Sequence, residues 1–452
     1  MKKNDVIPLE ITDITGQGSG IGRVDGMAVF VPMTAVGDKI NARILKVKKN
    51  YAFAKIEELV SPSGRRIEPD CDCYTKCGGC VFRHISYDEE LKIKKQRVYD
   101  ALTRIGGLED FHMNDIVGGE YPDGYRNKTQ IPIGRDKNGA VCMGFYGSHS
   151  HRIVGTGECK LQPDDMNAIA KAVRSWVEEN GVSVYNEETH TGLLRHLYMR
   201  KGFSSGEVMV CLVINGDTLP YKDELVKRLT DLDCGVTSVV INVNKDKTNV
   251  ILGKTCKTIF GSGMITDELC GLKFNISPLS FYQINHDQTE HLYSIAAQCA
   301  ELTGNELLID LYCGAGTIGL SMAKNVKDLI GVEIIPEAIE NARENARVNG
   351  ITNAEFMCAD AAKAAAELLK RGTRPDVVVI DPPRKGCDAS VIESIASMSP
   401  DRVVYVSCDP ETLARDLKIF AEKGYITKNV TPVDMFPRTQ HVETVASMSR
   451  KP

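Results

Sequence analysis

Glu306-Leu307-Leu308-Ile309-Asp310-Leu311-Tyr312-Cys313-Gly314-Ala315-Gly316-Thr317-Ile318-Gly319 reads as a strand, a glycine turn and a helix start. A second strand, Asp328-Leu329-Ile330-Gly331-Val332-Glu333, ends in an acid 23 residues after Asp310. A carboxylate there can accept hydrogen bonds from ribose hydroxyls. The spacing Gly314-x-Gly316-x-x-Gly319 is formally a dinucleotide fingerprint, so the glycines alone do not name the ligand. Asp310 lies before the turn, where it faces an amino-acid tail, and this favours S-adenosylmethionine. A third strand ends at Cys358-Ala359-Asp360 and puts another acid where an adenine amino group would lie. Any one of these acids could instead cap a helix. From about Ile276 onward helix and strand alternate, the pattern of a doubly wound parallel sheet.

Farther along, Asp376-Val377-Val378-Val379-Ile380 reads as a fourth strand and delivers Asp381-Pro382-Pro383-Arg384-Lys385-Gly386. Enzymes that methylate exocyclic nitrogens end such a loop in Tyr or Phe, which stacks on the base. Arg384 stands there instead, and its charge suits a phosphate or a developing oxyanion. A fifth strand, Arg402-Val403-Val404-Tyr405-Val406, leads to Cys408. Asp409 can cap the helix that follows, and Pro410 suits its first position. Cys408 is thus expected at the carboxyl end of a strand, where open α/β sheets bind ligands, with a thiol pKa lowered by the helix end. Thr439-Gln440-His441-Val442-Glu443-Thr444-Val445 forms the run-in to the last strand.

These residues match one demanding reaction. Carbon 5 of a pyrimidine is barely nucleophilic. A thiolate added to carbon 6 turns the ring into an enolate that can attack a methyl-sulfonium carbon. A separate base must then remove the carbon 5 proton so that the thiol can leave. Cys408 supplies the first group, and Glu443 or His441 could supply the second.

The ordered set Phe281-Tyr282-Gln283-Ile284-Asn285, Asp310-Leu311-Tyr312-Cys313-Gly314, Asp381-Pro382-Pro383-Arg384, Ser407-Cys408-Asp409-Pro410 and His441-Val442-Glu443 resembles the RNA 5-methyluridine methyltransferase family. The resemblance covers the carboxy-terminal third motif by motif. It implies that Cys408 is the nucleophile and Glu443 the proton acceptor. It also implies that Gln283, Tyr312, Glu333 and Asp381 line the S-adenosylmethionine pocket, with Asp381 also near the uracil. Many relatives carry Asn at the position of Thr317, which therefore stays outside the cofactor set.

Composition sets the outer bounds. At 452 residues, two or three domains are expected. Hydrophobic content of 42% and charged content of 25% are ordinary for a soluble globular protein. No apolar run approaches membrane-spanning length and no signal-peptide core follows Met1, so a cytoplasmic, membrane-free protein is expected. The net charge of −5 requires any nucleic-acid site to be a local basic surface.

Residues 1–60 show short apolar alternations between Gly-rich turns, expected to form a small β-barrel. Arg43, Lys46, Lys48, Lys49 and Lys55 lie among Tyr51 and Phe53, a mixture suited to single-stranded nucleic acid. Lysines that keep strand edges from aggregating would look the same. The segment resembles a TRAM domain, an OB-like RNA-binding barrel of RNA-modifying enzymes. A linker at 61–66 leads to an α+β middle domain over 67–270, and the methyltransferase domain is expected over 271–452. Helices are expected at about 85–105, 165–179 and 222–231. The first carries Lys92, Lys94, Lys95 and Arg97 and is expected to grip phosphates.

Fifteen cysteines in a cytoplasmic protein suggest metal or catalysis rather than disulfides. Cys71-x5-Cys77-x2-Cys80 is a ligand loop, and Cys159 would complete four thiolates from 79 residues beyond Cys80. Zinc sites usually pair two close-spaced knuckles, and only one is present. Three clustered thiolates plus a remote one fit an iron–sulfur cubane better, with Cys73 left as a spare. The resemblance adds that the ribosomal-RNA branch of the family carries a [4Fe-4S] cluster on this spacing. Such a cluster would hold the middle domain together rather than do redox work.

The leading function is thus S-adenosylmethionine-dependent methylation of uridine C5 in 23S rRNA by a monomer. Transfer RNA is the alternative substrate. A non-catalytic, cluster-bearing RNA-binding or ribosome-assembly factor and a nicotinamide oxidoreductase are the alternative classes.

Overall fold

The computed structural model describes residues 1–148 and 150–451. At the amino terminus six strands, Val6–Glu10, Asp13–Ile14, Ser19–Val24, Met27–Pro32, Lys39–Val47 and Tyr51–Ser61, form a single barrel-like sheet. Alternation in Lys39–Val47 turns Ile40, Ala42 and Ile44 inward, where they meet Leu9, Val29, Val31 and Ala52.

Helix α1 (Tyr87–Arg104) follows the cysteine-rich loop, and Ser86 caps it by accepting from the Glu89 amide. The middle sheet has seven strands between Lys128 and Phe260. Of its central strands, Val208–Ile214 is a continuous apolar run because both faces are buried, while Leu194–Lys201 is also buried but carries Arg195, His196 and Arg200. Helices α2 (Asp164–Glu179) and α3 (Lys222–Thr230) cover one face around Trp176. A hairpin, Ile265–Leu269 with Leu272–Ile276, covers the other and joins the core of the next domain. All three helices fall where the spacing predicts them, within two residues at each end.

The carboxy-terminal sheet contains β1 (His112–Met113), β2 (Leu307–Leu311), β3 (Asp328–Glu333), β4 (Ala354–Cys358), β5 (Val377–Ile380), β6 (Arg402–Ser407), β7 (Tyr425–Val433) and β8 (Glu443–Arg450). Their order is β4-β3-β2-β5-β6-β8-β7-β1; β2 to β6 run parallel, and β8 is antiparallel to both neighbours. The expected doubly wound, Rossmann-like α/β methyltransferase sheet is therefore present. Helices α4 (His286–Ala300), α5 (Thr317–Met322) and α6 (Pro336–Val348) pack on one side. The other side carries α7 (Ala361–Lys370), α8 (Ala389–Met398), α9 (Pro410–Glu422) and α1. β5 shows why: Val377 and Val379 enter one core, Val378 and Ile380 the other. Burying each such side chain contributes roughly 1.5–3 kcal/mol.

The expected phosphate-gripping face of α1 is corrected. Lys94 is buried and its ammonium donates to Glu90 and Asp434 at 2.7 Å each; Lys95 pairs with Asp115 and Arg97 with Glu411. Of the four cations Lys92 is the most exposed, at 76%, with its ammonium 4.0 Å from Glu89. Spacings of three and four residues turn Glu90, Lys94 and Arg97 onto one face of the helix, and that face meets the carboxy-terminal domain. Among the described residues no helix is long and apolar enough to cross a membrane.

Candidate active site

The turn after β2 gathers the expected cofactor residues. Tyr312 adopts a left-handed backbone with φ 68°, and Gly316, φ 82°, caps α5. Asp310 is buried; one carboxylate oxygen accepts the Gly319 amide at 2.9 Å and the other has no partner. A Cβ on Gly319 would lie 2.8 Å from that carboxylate, so only glycine lets the helix start so close to β2. Burial pushes the Asp310 acid up to about 8. Thr317, left out of the cofactor set, shares a 2.8 Å hydrogen bond with buried Tyr293.

Glu333, at the end of β3, accepts the Gly314, Ile334 and Ile335 amides, so the second acid is fixed against the glycine turn. Asp360 is used differently: it caps α7 by accepting the Ala362 and Lys363 amides. Gln283 lies in the loop before α4, where its carbonyl accepts the Asn127 amide group at 2.7 Å. That loop is tied to α6 through Asn341 and Ser280, and to the run before β8 through Asn285 and the Met435 carbonyl.

Asp381, Arg384, Cys408 and Glu443 meet at the carboxyl ends of β5 and β6. β8 is not an edge strand; it inserts between β6 and β7, with Ser407 paired to Thr444. Cys408 and Glu443 are the next positions of that ladder. Asp409 caps α9 by accepting the Thr412 amide at 3.0 Å, and Pro410 opens the helix. The Asp381 loop is held to α9 by Thr412 Oγ1 on the Arg384 carbonyl and by Asp416 on the Cys387 amide.

The electrostatics of the thiol correct the expectation from sequence. Burial, followed by the charges of Glu443 and Asp381, pushes Cys408 up to about 12, and Arg384 only partly opposes them. The helix end fails to lower the thiol because Asp409, itself an anion, occupies the Thr412 amide. Burial also raises Glu443 to about 8, with Asp381 adding and Arg384 subtracting. Asp381 rises to about 7 through burial. His441 is held down at about 4 by burial and by Arg384, Arg97 and Lys94.

Cys71, Cys77, Cys80 and Cys159 line one small cavity of about 30 Å³ with Tyr74, Phe145 and Leu161. Cys73 also borders it, but its thiol turns to the Gly155 carbonyl at 3.4 Å. Among the described residues no three Cys, His, Asp or Glu side chains draw close enough to share one metal ion. Tetrahedral zinc would hold its thiolates about 3.8 Å apart. Burial pushes Cys80 up to about 11 and raises Cys77 and Cys159. Arg126 lines the same cavity and forms no ion pair among the described residues; its Nε is buried without a partner. A cation so placed suits an anionic, thiolate-bound group better than four neutral thiols.

Arg126 does not stand out in the sequence, and Arg97 shows there only as one of the basic residues of α1. The charged pair Glu90 and Lys94, set i to i+4 among apolar residues, was the one hint that α1 hides a polar face.

On the barrel, Phe30, Tyr51 and Phe53 form a surface cluster with ring centroids 5.5–5.9 Å apart. Lys46 pairs across from Phe53. Arg43 is engaged by Glu57.

Comparison with known proteins follows the same division. The model of the tRNA (uracil-5-)-methyltransferase family matches residues 265–451, and the TRAM domain model matches residues 2–56. A Clostridium tetani protein described as an uncharacterized RNA methyltransferase is 45% identical over 449 residues, 99% of this chain and 97% of that protein. One of the same description from Halalkalibacterium halodurans is 44% identical over 451 residues, 100% and 98% of the two chains. Among solved structures, the Pyrococcus abyssi tRNA (uracil-54, C5)-methyltransferase with S-adenosyl-L-homocysteine matches with a TM-score of 0.79 and 29% identity. That match covers 98% of this chain and 100% of that one.

Proposed function

Because the chain belongs to the S-adenosylmethionine-dependent RNA uracil-5-methyltransferase family, we propose that it methylates C5 of a uridine in 23S ribosomal RNA through a covalent Cys408 adduct. The observation that carries this reading is the ladder of β6 and β8, whose last pair, Ser407 with Thr444, puts Cys408 and Glu443 at the adjoining ends of the two strands. A nucleophile and a base at adjoining strand ends can address neighbouring ring atoms, C6 and C5. Glu443 is favoured over His441 because an acid near 8 is a far stronger base at neutral pH than an imidazole near 4.

Cys408 releases its proton to solvent and adds as thiolate to C6, and the C5=C6 electrons move into the ring as an enolate. The methyl group arrives at C5 from the sulfonium of S-adenosylmethionine, which leaves as S-adenosylhomocysteine. Ionised Glu443 then takes the C5 proton, the double bond re-forms, and the Cys408 thiolate is expelled. Arg384 offsets the negative charge of the thiolate and the enolate. Gln283, Tyr312, Glu333 and Asp381 hold the cofactor, with Glu333 on its ribose.

Cys71, Cys77, Cys80 and Cys159 hold a [4Fe-4S] cluster. Their shared cavity and the unpaired Arg126 support it. When bound, the cluster ties the loop of residues 71–80 to Cys159 and supplies the anion that Arg126 balances. The sequence resemblance, in which the ribosomal-RNA branch carries a cluster on this cysteine spacing, favours ribosomal over transfer RNA, and the enzyme works as a cytoplasmic monomer.

A transfer-RNA substrate is the second reading, supported by the whole-chain likeness to the Pyrococcus abyssi tRNA enzyme. Tritium release from 23S rRNA and tRNA transcripts carrying C5-labelled uridine decides between them. Release from ribosomal RNA is expected. Release from tRNA alone would overturn the substrate, and release from neither would favour a non-catalytic or redox protein.

A further inference from the structure

Arg97 is the point where three separate segments meet. Its guanidinium grips Glu411, with Nη2 at 2.9 Å from Oε2 and Nε at 3.2 Å from Oε1. Glu411 lies in the first turn of α9, three residues after Cys408. The remaining nitrogen, Nη1, donates to the Gln440 carbonyl at 2.9 Å, three residues before Glu443. One planar fork thus ties the segment carrying the thiol to the segment carrying the acid.

The third segment is a turn of the barrel. Ser19 N donates to Thr15 Oγ1, and Gly18 N to the Thr15 carbonyl, which makes residues 15–19 a closed loop. A Cβ on Gly16 would lie 2.2 Å from Arg97 Cδ, so the Gly16 backbone rests flat on the arginine stem. Gly18 is pressed equally closely against Val81. The Val81 and Phe82 amides in turn donate to the Arg438 carbonyl, on the same run that reaches Glu443. The barrel therefore seats on the residues that hold the acid-bearing run.

We propose that Arg97 is a positioning residue that sets the spacing of Cys408 and Glu443, and that the Gly16 turn of the barrel locks it in place. It rests on the roles proposed above for that pair. α9 has its own apolar anchor in Leu413, Ala414, Leu417 and Phe420, so Arg97 is not needed to keep the helix on the sheet. What the fork adds is a fixed distance between two segments. Lysine, a point donor on a flexible stem, can serve one side at a time. Seating of the barrel on RNA is thereby coupled to alignment of the acid with the C5 proton.

The test uses full-length protein and C5-tritiated RNA. Tritium release and denaturant-stable protein–RNA adduct are measured side by side, per mole of protein competent to bind S-adenosylhomocysteine. Arg97→Met is expected to slow release about tenfold or more, to raise the fraction trapped as adduct, and to leave KM for RNA within about twofold. Arg97→Lys should recover part of the loss. Gly16→Ala, remote from both reacting groups, should shift the same ratio in the same direction. A merely structural role would lower release and adduct together, in proportion to a lowered melting temperature. That result, or unchanged release from Arg97→Met, overturns the proposal. If wild type forms no adduct and Cys408→Ala retains release, the pair itself is misassigned and the role of Arg97 falls with it.

Discussion

Cys408 and Glu443 each stand one position beyond the last rung of an antiparallel ladder in which Ser407 pairs with Thr444. Backbones in such a ladder stand about 4.5–5.5 Å apart. The thiol and the acid thus stand at the ends of two paired central strands of the sheet.

The acid is therefore expected to shape the pH profile near neutrality, with the Cys408 thiol, raised to about 12, adding a rise in the same direction. Glu443 accepts a proton only when ionised, and burial holds its pKa up to about 8, well above its ordinary 4.5. Activity is lost as pH falls below that value and regained as it rises. Single-turnover tritium release should climb through about pH 8; a flat profile from pH 6 to 9 would contradict the assignment.

The α1 contact makes a prediction for stability. Lys94 sits with Glu90 and Asp434 out of contact with water. Lys94→Met leaves Asp434 buried without its cation and Glu90 with only Arg438 at 3.6 Å, and should cost about 3–5 kcal/mol in urea unfolding. Adding Glu90→Gln should return part of it. A loss below about 1 kcal/mol would mean that solvent reaches the pair.

Much of this was legible in the sequence, for physical reasons. The Asp310 turn and the Asp409-Pro410 helix start are local, so spacing alone located them. The partner of Cys408 was not, because the register joining residues 407 and 444 depends on β8 inserting between β6 and β7. The α1 cations misled for the same reason: charge is visible in sequence, but the Asp434 or Glu411 that neutralises it comes from far along the chain. The thiol pKa was read in the wrong direction, since burial and two carboxylates outweigh one helix end.

For the barrel, Tyr51 and Phe53 present exposed rings beside Lys46. Each replaced by Ala should weaken RNA binding by about 1–3 kcal/mol in a filter-binding assay. Lys46→Ala should reduce the slope of log affinity against log salt by about one unit. Unchanged affinity in all three would remove this face from the RNA path.

Iron and acid-labile sulfide analysis of anaerobically purified protein separates the thiols. Ser at Cys71, Cys77, Cys80 or Cys159 should abolish the charge-transfer absorbance, whereas Cys73→Ser should retain it, its thiol being turned to Gly155. Stoichiometric zinc in place of iron would overturn the cluster.

The most direct measurement is the trapped intermediate. Glu443→Gln protein mixed with 23S rRNA and S-adenosylmethionine should yield a denaturant-stable protein–RNA complex in which the uracil carries a C5 methyl group and a bond to Cys408, and Cys408→Ala should yield none. Recovery of free methylated RNA at the wild-type rate from either variant would contradict the covalent pairing of Cys408 and Glu443.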